Sequence, residues 1–153
     1  SPTARATIVR WVTEWYETHI VFRYAGEDAP GEMPRYELGE LPEGFVENLE
    51  SQFVGTGMTA HFYENEKGDV ILFEYIYMQQ GSLSGVNTEN AYVISVIVND
   101  CEGLLVIPKE EDSNSMLMWL DPEHDLQFTL DAPLGQEDIL HMAESVYLVE
   151  TTK

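Results

Sequence analysis

Four histidines, one cysteine and 28 acidic side chains are the groups in this 153-residue chain able to ligate a metal, attack a carbon or move a proton. Their spacing assembles no complete constellation. His19, His61, His124 and His141 contain no pair at the i, i+4 separation that sets two imidazoles on one helical face for zinc. Alternation places His61 on the polar face of its strand. His141 falls on the polar face of a helix, His124 in a turn, and His19 at the end of an apolar stripe. Asp121, Glu123 and Asp125 alternate within one short loop, and carboxylates are the ligands calcium prefers. The spaced-ligand loop with its turn glycine is absent, so the same residues also read as a solvated turn. Gly81-Ser82-Leu83-Ser84-Gly85 has the outline of a nucleophile elbow but carries Leu83 where the serine must stand. Cys101 is alone, which excludes an internal disulfide and a multi-cysteine zinc site. Asp100 and Glu102 beside it should raise its pKa rather than activate it. No phosphate-cradling glycine loop is present. We therefore expect no catalytic residue, no metal and no cofactor, and not an enzyme.

Charge narrows the partners. The net charge is −21. Residues 1–35 carry Arg5, Arg10, Arg23 and Arg35 against Glu14, Glu17, Glu27, Asp28 and Glu32, a balance of −1. Residues 36–153 carry only Lys67, Lys109 and Lys153 as bases, a balance of −20. Such a surface repels phosphate backbones and anionic head groups, which argues against nucleic acid as a partner. Cationic peptides, cations and basic proteins remain compatible with it, and acidity also serves solubility.

The elements that must position any site follow from periodicity. Ile8, Trp11, Val12, Trp15 and Tyr16 fall at i, i+3, i+4, i+7 and i+8, so residues 4–20 are predicted to be a helix, with Thr3 as N-cap. Ile20–Tyr24 is read as a strand and residues 25–35, with two glycines and two prolines, as a loop. Leu41-Pro42-Glu43-Gly44-Phe45 is a tight turn, with Gly44 where φ must be positive. Met58, Ala60 and Phe62 alternate with Thr59, His61 and Tyr63. That pattern predicts a strand whose outer face carries the latter three. Val70–Met78 is apolar on both faces, hence central. Residues 79–90 read as a mobile loop. Hairpins are predicted around residues 64–69, around Asn99-Asp100 and around Asp121–His124, the last between Met116–Leu120 and Leu126–Leu130. From Gln136, Ile139, Met142, Ala143, Val146 and Tyr147 form the apolar stripe of a second helix. No run approaches the length of a membrane span. The fold class is α+β: an antiparallel sheet of six to eight strands with an N-terminal and a C-terminal helix packed on it. Residues 1–35 form the N-terminal helix and connecting segment, and 36–153 the sheet and C-terminal helix, within one compact domain.

An ordered set of short motifs carries a resemblance. It comprises Leu41-Pro42-Glu43-Gly44-Phe45; Phe62-Tyr63-Glu64-Asn65 with Gly68-Asp69 and an aromatic strand to Tyr77; Val96-Ile97-Val98-Asn99 with Glu102-Gly103; Met118-Trp119 before Phe128-Thr129-Leu130; and Ile139-Leu140 with Met142-Ala143-Glu144-Ser145-Val146. Over roughly residues 36–148 the chain resembles a bacterial family known as domain-of-unknown-function family 4367. Cys101 and the acidity of residues 108–114 depart from its pattern. The resemblance implies the extracytoplasmic part of a single-pass membrane protein of Gram-positive bacteria, some of anti-sigma-factor-like organisation. It implies a curved antiparallel sheet with a packed helix, similar to part of the lipoprotein-carrier and stress-sensor fold, and it brings no catalytic residues. Under it, a membrane span is expected upstream of Ser1, with Trp11 and Trp15 near its end and the acidic body pointing away from the bilayer. The expected function is a non-enzymatic binding or sensing domain on the extracellular face of the membrane, its ligand an envelope peptide, lipid or protein. Tyr75, Tyr77 and Trp119 are the residues expected to face that ligand. The alternative is a carrier of lipid or lipoprotein, holding its cargo between sheet and helix among Phe73, Tyr75, Tyr77, Met118 and Phe128. An acid-dependent hydrolase would require a concave site with two carboxylates of raised pKa.

Overall fold

Two-residue periodicity dominates this chain, and strands dominate the computed structural model, which describes residues 10–15, 19–25, 33–78 and 83–149. The strands are β1 (Arg10–Trp15), β2 (His19–Ala25), β3 (Tyr36–Glu37), β4 (Val46–Glu47), β5 (Phe53–Val54), β6 (Met58–Glu64) and β7 (Val70–Tyr77). They continue as β8 (Leu83–Asn87), β9 (Ala91–Val98), β10 (Cys101–Pro108), β11 (Ser115–Asp121), β12 (Leu126–Ala132) and β13 (Tyr147–Leu148). Among the described residues there is one α-helix, α1 (Gln136–Glu144), and one 3-10 turn, Leu49–Ser51. None of the described helices is long and apolar enough to cross a membrane.

The main sheet has eight strands in the order β4-β6-β7-β12-β11-β10-β9, with β5 also on β6, and each of its pairings is antiparallel. The three expected hairpins are all present. Their turns use residues that tolerate positive φ: Gly68 at 86°, Asn99 at 46° and Asp100 at 68°, and Asp125 at 58°. Gly44 adopts φ 89° in the tight turn before β4, as its position requires. The central strand β7 sends Ile71, Phe73, Tyr75 and Tyr77 to one face, where they are buried. These join Leu117 and Trp119 of β11, Phe128 and Leu130 of β12, and Ile139, Met142 and Ala143 of α1 in the larger core. Leu104, Val106, Met118 and Leu120 point to the other face. There they meet Ile20 of β2 and Val86 of β8 in a second core.

Three expectations fail here. The predicted N-terminal helix is overturned where it is described: Arg10–Trp15 is a strand paired with β2 in register Trp15↔Ile20. Trp11 and Trp15 of the helical stripe also satisfy period two, with Thr13 between them. β-branched and aromatic side chains suit a pleated surface, and pairing with β2 settles the ambiguity. His19 and Ile20, the end of that predicted helix, begin β2, while residues 4–9 and 16–18 lie outside the described residues, as do 26–32 of the predicted loop. Leu83–Asn87, read as mobile loop, is β8, which completes the three-stranded sheet β1-β2-β8. Finally, α1 stops at Glu144, so Tyr147 leaves the helical stripe and lies exposed in β13, paired with β3.

Gly103 of β10 lies opposite Trp119, and a Cβ there would sit 2.7 Å from the Met118 carbonyl oxygen and 3.0 Å from the Trp119 Cβ. Gly103→Ala is therefore expected to lower stability in urea unfolding by about 1–3 kcal/mol, the range for overpacking a closed core.

Candidate functional site

Strand β6 is read inside out by its polarity. Thr59, His61 and Tyr63, expected outside, are all buried on the face shared with Phe73 and Tyr75. The reason is cross-strand pairing. His61 is opposite Phe73 and Thr59 opposite Tyr75, so these side chains join the aromatic face of β7. The His61 ring stacks on Phe73 at 5.9 Å and 17°. It is only 1% exposed.

Two short neighbours of β6 complete the surroundings of that imidazole. β4 pairs Glu47 with Tyr63, which sets the Glu47 carboxylate 3.0 Å from His61 Nδ1. The 3-10 turn, whose cap Asn48 accepts from the Glu50 N–H at 3.1 Å, returns the chain through Gln52 to β5. The Gln52 amide lies 3.5 Å from the same Nδ1. The shorter contact and the charge of Glu47 assign the Nδ1 proton to the carboxylate. His61 Nε2 is buried without a hydrogen-bond partner.

His61 lies in the wall of a cleft of about 760 Å³, together with Met33, Arg35, Gln52, Val54, Thr59 and Tyr75. The Thr59 hydroxyl donates to the Met33 sulfur at 3.4 Å, and Arg35 is paired with Glu37 at 3.0 Å. Tyr75 is fixed by its hydroxyl, which accepts the Tyr36 N–H at 3.0 Å. Burial pushes the Tyr36 phenol up to about 12, so it stays neutral. Val54, 70% exposed, is the apolar side chain of β5 in the cleft wall, whereas Phe53 and Val46 are in register with Ala60 and Glu64 on the other face of β6. An imidazole, an amide, a threonine hydroxyl and the apolar Met33 and Val54 can bind an organic molecule.

Of the three residues expected to face a ligand, Tyr75 lines this cleft, whereas Tyr77 and Trp119 are buried in the core away from it. Arg35, Glu47 and Gln52 carried no sequence signal, because Glu47 comes from a two-residue strand and Arg35 and Gln52 from irregular segments. Asp121 of the proposed calcium loop is taken by His124, whose Nδ1 lies 2.8 Å from its carboxylate. Among the described residues no group of three or more His, Cys, Asp and Glu side chains is placed to hold a metal ion. Glu74 is held above the usual carboxylate range by burial, but it lies on the face of β7 opposite Tyr75 and His61. Cys101 packs against the larger core, and its thiol is pushed up to about 11. Burial is the main cause, followed by Asp121, Asp100 and Glu123 rather than the expected Glu102.

A family model described as "Domain of unknown function (DUF4367)" matches residues 35–146. No curated protein and no solved structure matches the chain.

Two outcomes follow from this geometry. Glu47→Ala leaves both His61 nitrogens short of a strong partner and should cost about 1–3 kcal/mol in urea unfolding. The same change in a His61→Phe background should cost almost nothing, a coupling readable in a double-mutant cycle. Cys101 should be alkylated by iodoacetamide far more slowly at pH 8 than a small free thiol, and the rate should climb only as pH approaches about 11.

Proposed function

The chain belongs to the DUF4367 family of domains of unknown function, and on that footing we propose that it is a non-enzymatic binding or sensing domain whose ligand occupies the cleft beside His61. A membrane-anchored bacterial protein of anti-sigma-factor-like organisation would display it on the extracellular face of the membrane. The observation that carries the binding reading is the buried, unpartnered Nε2 of His61 in the wall of a roomy cleft. A buried polar atom left unpaired costs on the order of 1–3 kcal/mol. An aromatic residue at position 61 would continue the stack on Phe73 without that cost. A histidine there instead leaves a polar atom just behind the cleft wall, a local conflict of the kind that marks functional sites. The division of charge between residues 1–35 and 36–153 supports the topological part, with the acidic body turned from an anionic bilayer.

The apolar-cargo reading survives in changed form. The space between sheet and helix is filled by Phe73, Tyr75, Trp119 and Phe128, each 3% exposed or less. Apolar cargo would instead have to use the cleft, where Met33, Pro34 and Val54 stand beside polar Arg35, Gln52 and Thr59, a mixture that favours an amphipathic molecule. The hydrolase reading has no support from Glu74, the carboxyl with raised pKa, because it faces away from the cleft.

Native mass spectrometry of the purified chain, set against its denatured mass, tests the proposal. We expect an adduct of lipid or peptide mass that denaturation releases and that His61→Phe fails to retain. A bare chain in both proteins, with no shift of Thr59, His61 or Tyr75 resonances on adding cell-envelope extract, would overturn it.

A further inference from the structure

At the far side of the main sheet from the cleft, β9 is the last strand, and among the described residues it pairs only with β10. Its sequence, Ala91-Tyr92-Val93-Ile94-Ser95-Val96-Ile97-Val98, contains no charge, no proline and no glycine. Its register with β10 runs unbroken from Val98↔Cys101 to Ala91↔Pro108, so no bulge bends it away. Charges, prolines, bulges and short length are the devices that protect edge strands, and β9 has none of them.

The turn fixes which backbone groups face outward. Asn99 and Asp100, both with positive φ, form a two-residue hairpin loop, and the pair that closes such a loop exchanges both hydrogen bonds. Val98, Val96, Ile94 and Tyr92 are thereby bonded to β10. Ile97, Ser95, Val93 and Ala91 turn their N–H and C=O groups away from it. Pro108 supports this parity. It lies opposite Ala91, a position where no N–H is needed. Near the two ends of the strand, Tyr92 and Ile97 are 59% and 62% exposed.

We propose that the outer edge of β9 is a docking surface for an extended polypeptide segment with an alternating, β-prone core and basic residues at both ends. Charge selects this occupant. Glu89 stands before the strand and Asp100 and Glu102 after it, all exposed. A second copy pairing antiparallel would set Glu89 of one against Asp100 of the other at both ends, like charges facing across the pair, with Glu102 one strand inward adding to the same negative field. A segment with lysine or arginine at those positions replaces repulsion with attraction, and the net charge of −21 steers it in.

The test uses the isotope-labelled chain and a ten-residue probe peptide, alternating valine and threonine between paired lysines, with a glutamate-flanked peptide as control. The lysine-flanked peptide is expected to slow amide exchange at Ala91, Val93, Ser95 and Ile97 at least tenfold, and the control peptide to leave it unchanged. Ser95→Pro removes an outward N–H without touching the β10 ladder and should weaken binding tenfold or more. Glu89→Gln with Asp100→Gly keeps the turn, removes the end charges and should weaken binding at least threefold, which decides the matter should the proline variant not fold. Equal binding of the two peptides would overturn the proposal, as would unchanged binding to both variants. So would a sedimentation dimer in which those four amides are already protected in the free chain.

Discussion

Phe128 is the ring on which the larger core closes. It stacks on Trp119 at 5.1 Å and on Phe73 at 6.2 Å, and takes the edge of Tyr36 at 5.0 Å. These rings come from β11, β7 and β3, so one cross-strand column ties together elements distant in sequence. Aromatic pairs of this kind contribute about 0.5–1.5 kcal/mol each beyond the area they bury. The column extends past Phe73 to His61. The imidazole therefore inherits its orientation from the core, and Glu47 needs only to reach the nitrogen presented to it. The site is a polar interruption at the end of an aromatic stack, and its rigidity comes from the stack.

What was legible in the sequence follows from that construction. Hairpins β6–β7, β9–β10 and β11–β12 could be read because each has a local turn signal between two patterned runs. Helix α1 could be read because nothing competes with its stripe or its first-turn acids Glu137 and Asp138. The N-terminal strand could not, because residues 10–15 fit both periods and only β2 decides between them. β8 was hidden by a polar, glycine-bearing segment that gains strand form by pairing with β2. The face of β6 was misread because polarity is a poor guide where a strand is buried on both sides. Ala60 faces one way and His61 the other, and both are buried. The site shared these difficulties. Tyr75 was within reach of sequence reasoning as a central-strand aromatic, whereas Glu47, Gln52 and Arg35 join His61 only through tertiary pairing.

The acidity of the chain also has a structural distribution. Glu74 is a carboxyl on a sheet face, and burial raises its pKa, which in the folded state favours the neutral form. That contribution is present at low pH and is lost as pH rises through its raised pKa. Glu64, Glu89, Asp100 and Glu102 stand at or near strand ends, where they remain hydrated. The sheet thus keeps its middle apolar and pushes charge to its turns, which leaves the long edge of β9 free of charge.

The two edges of the main sheet meet the same problem differently. At one edge, β6 is covered by β4 and β5, each two residues long, with the 3-10 turn between them. Short strands satisfy only part of a neighbour's length, and the cleft beside His61 is walled by β5, β6, Tyr75 of β7 and residues 33–35 before β3. At the other edge, β9 is full-length and straight, with nothing among the described residues paired to its outer side. Four strands stand between β6 and β9, which at about 4.8 Å per strand puts the two surfaces roughly 24 Å apart. Occupation of one therefore does not obstruct the other. Where α1 packs on one face of the main sheet and the three-stranded sheet on the other, recognition falls to the edges. One edge is shaped for a compact molecule and the other for an extended chain.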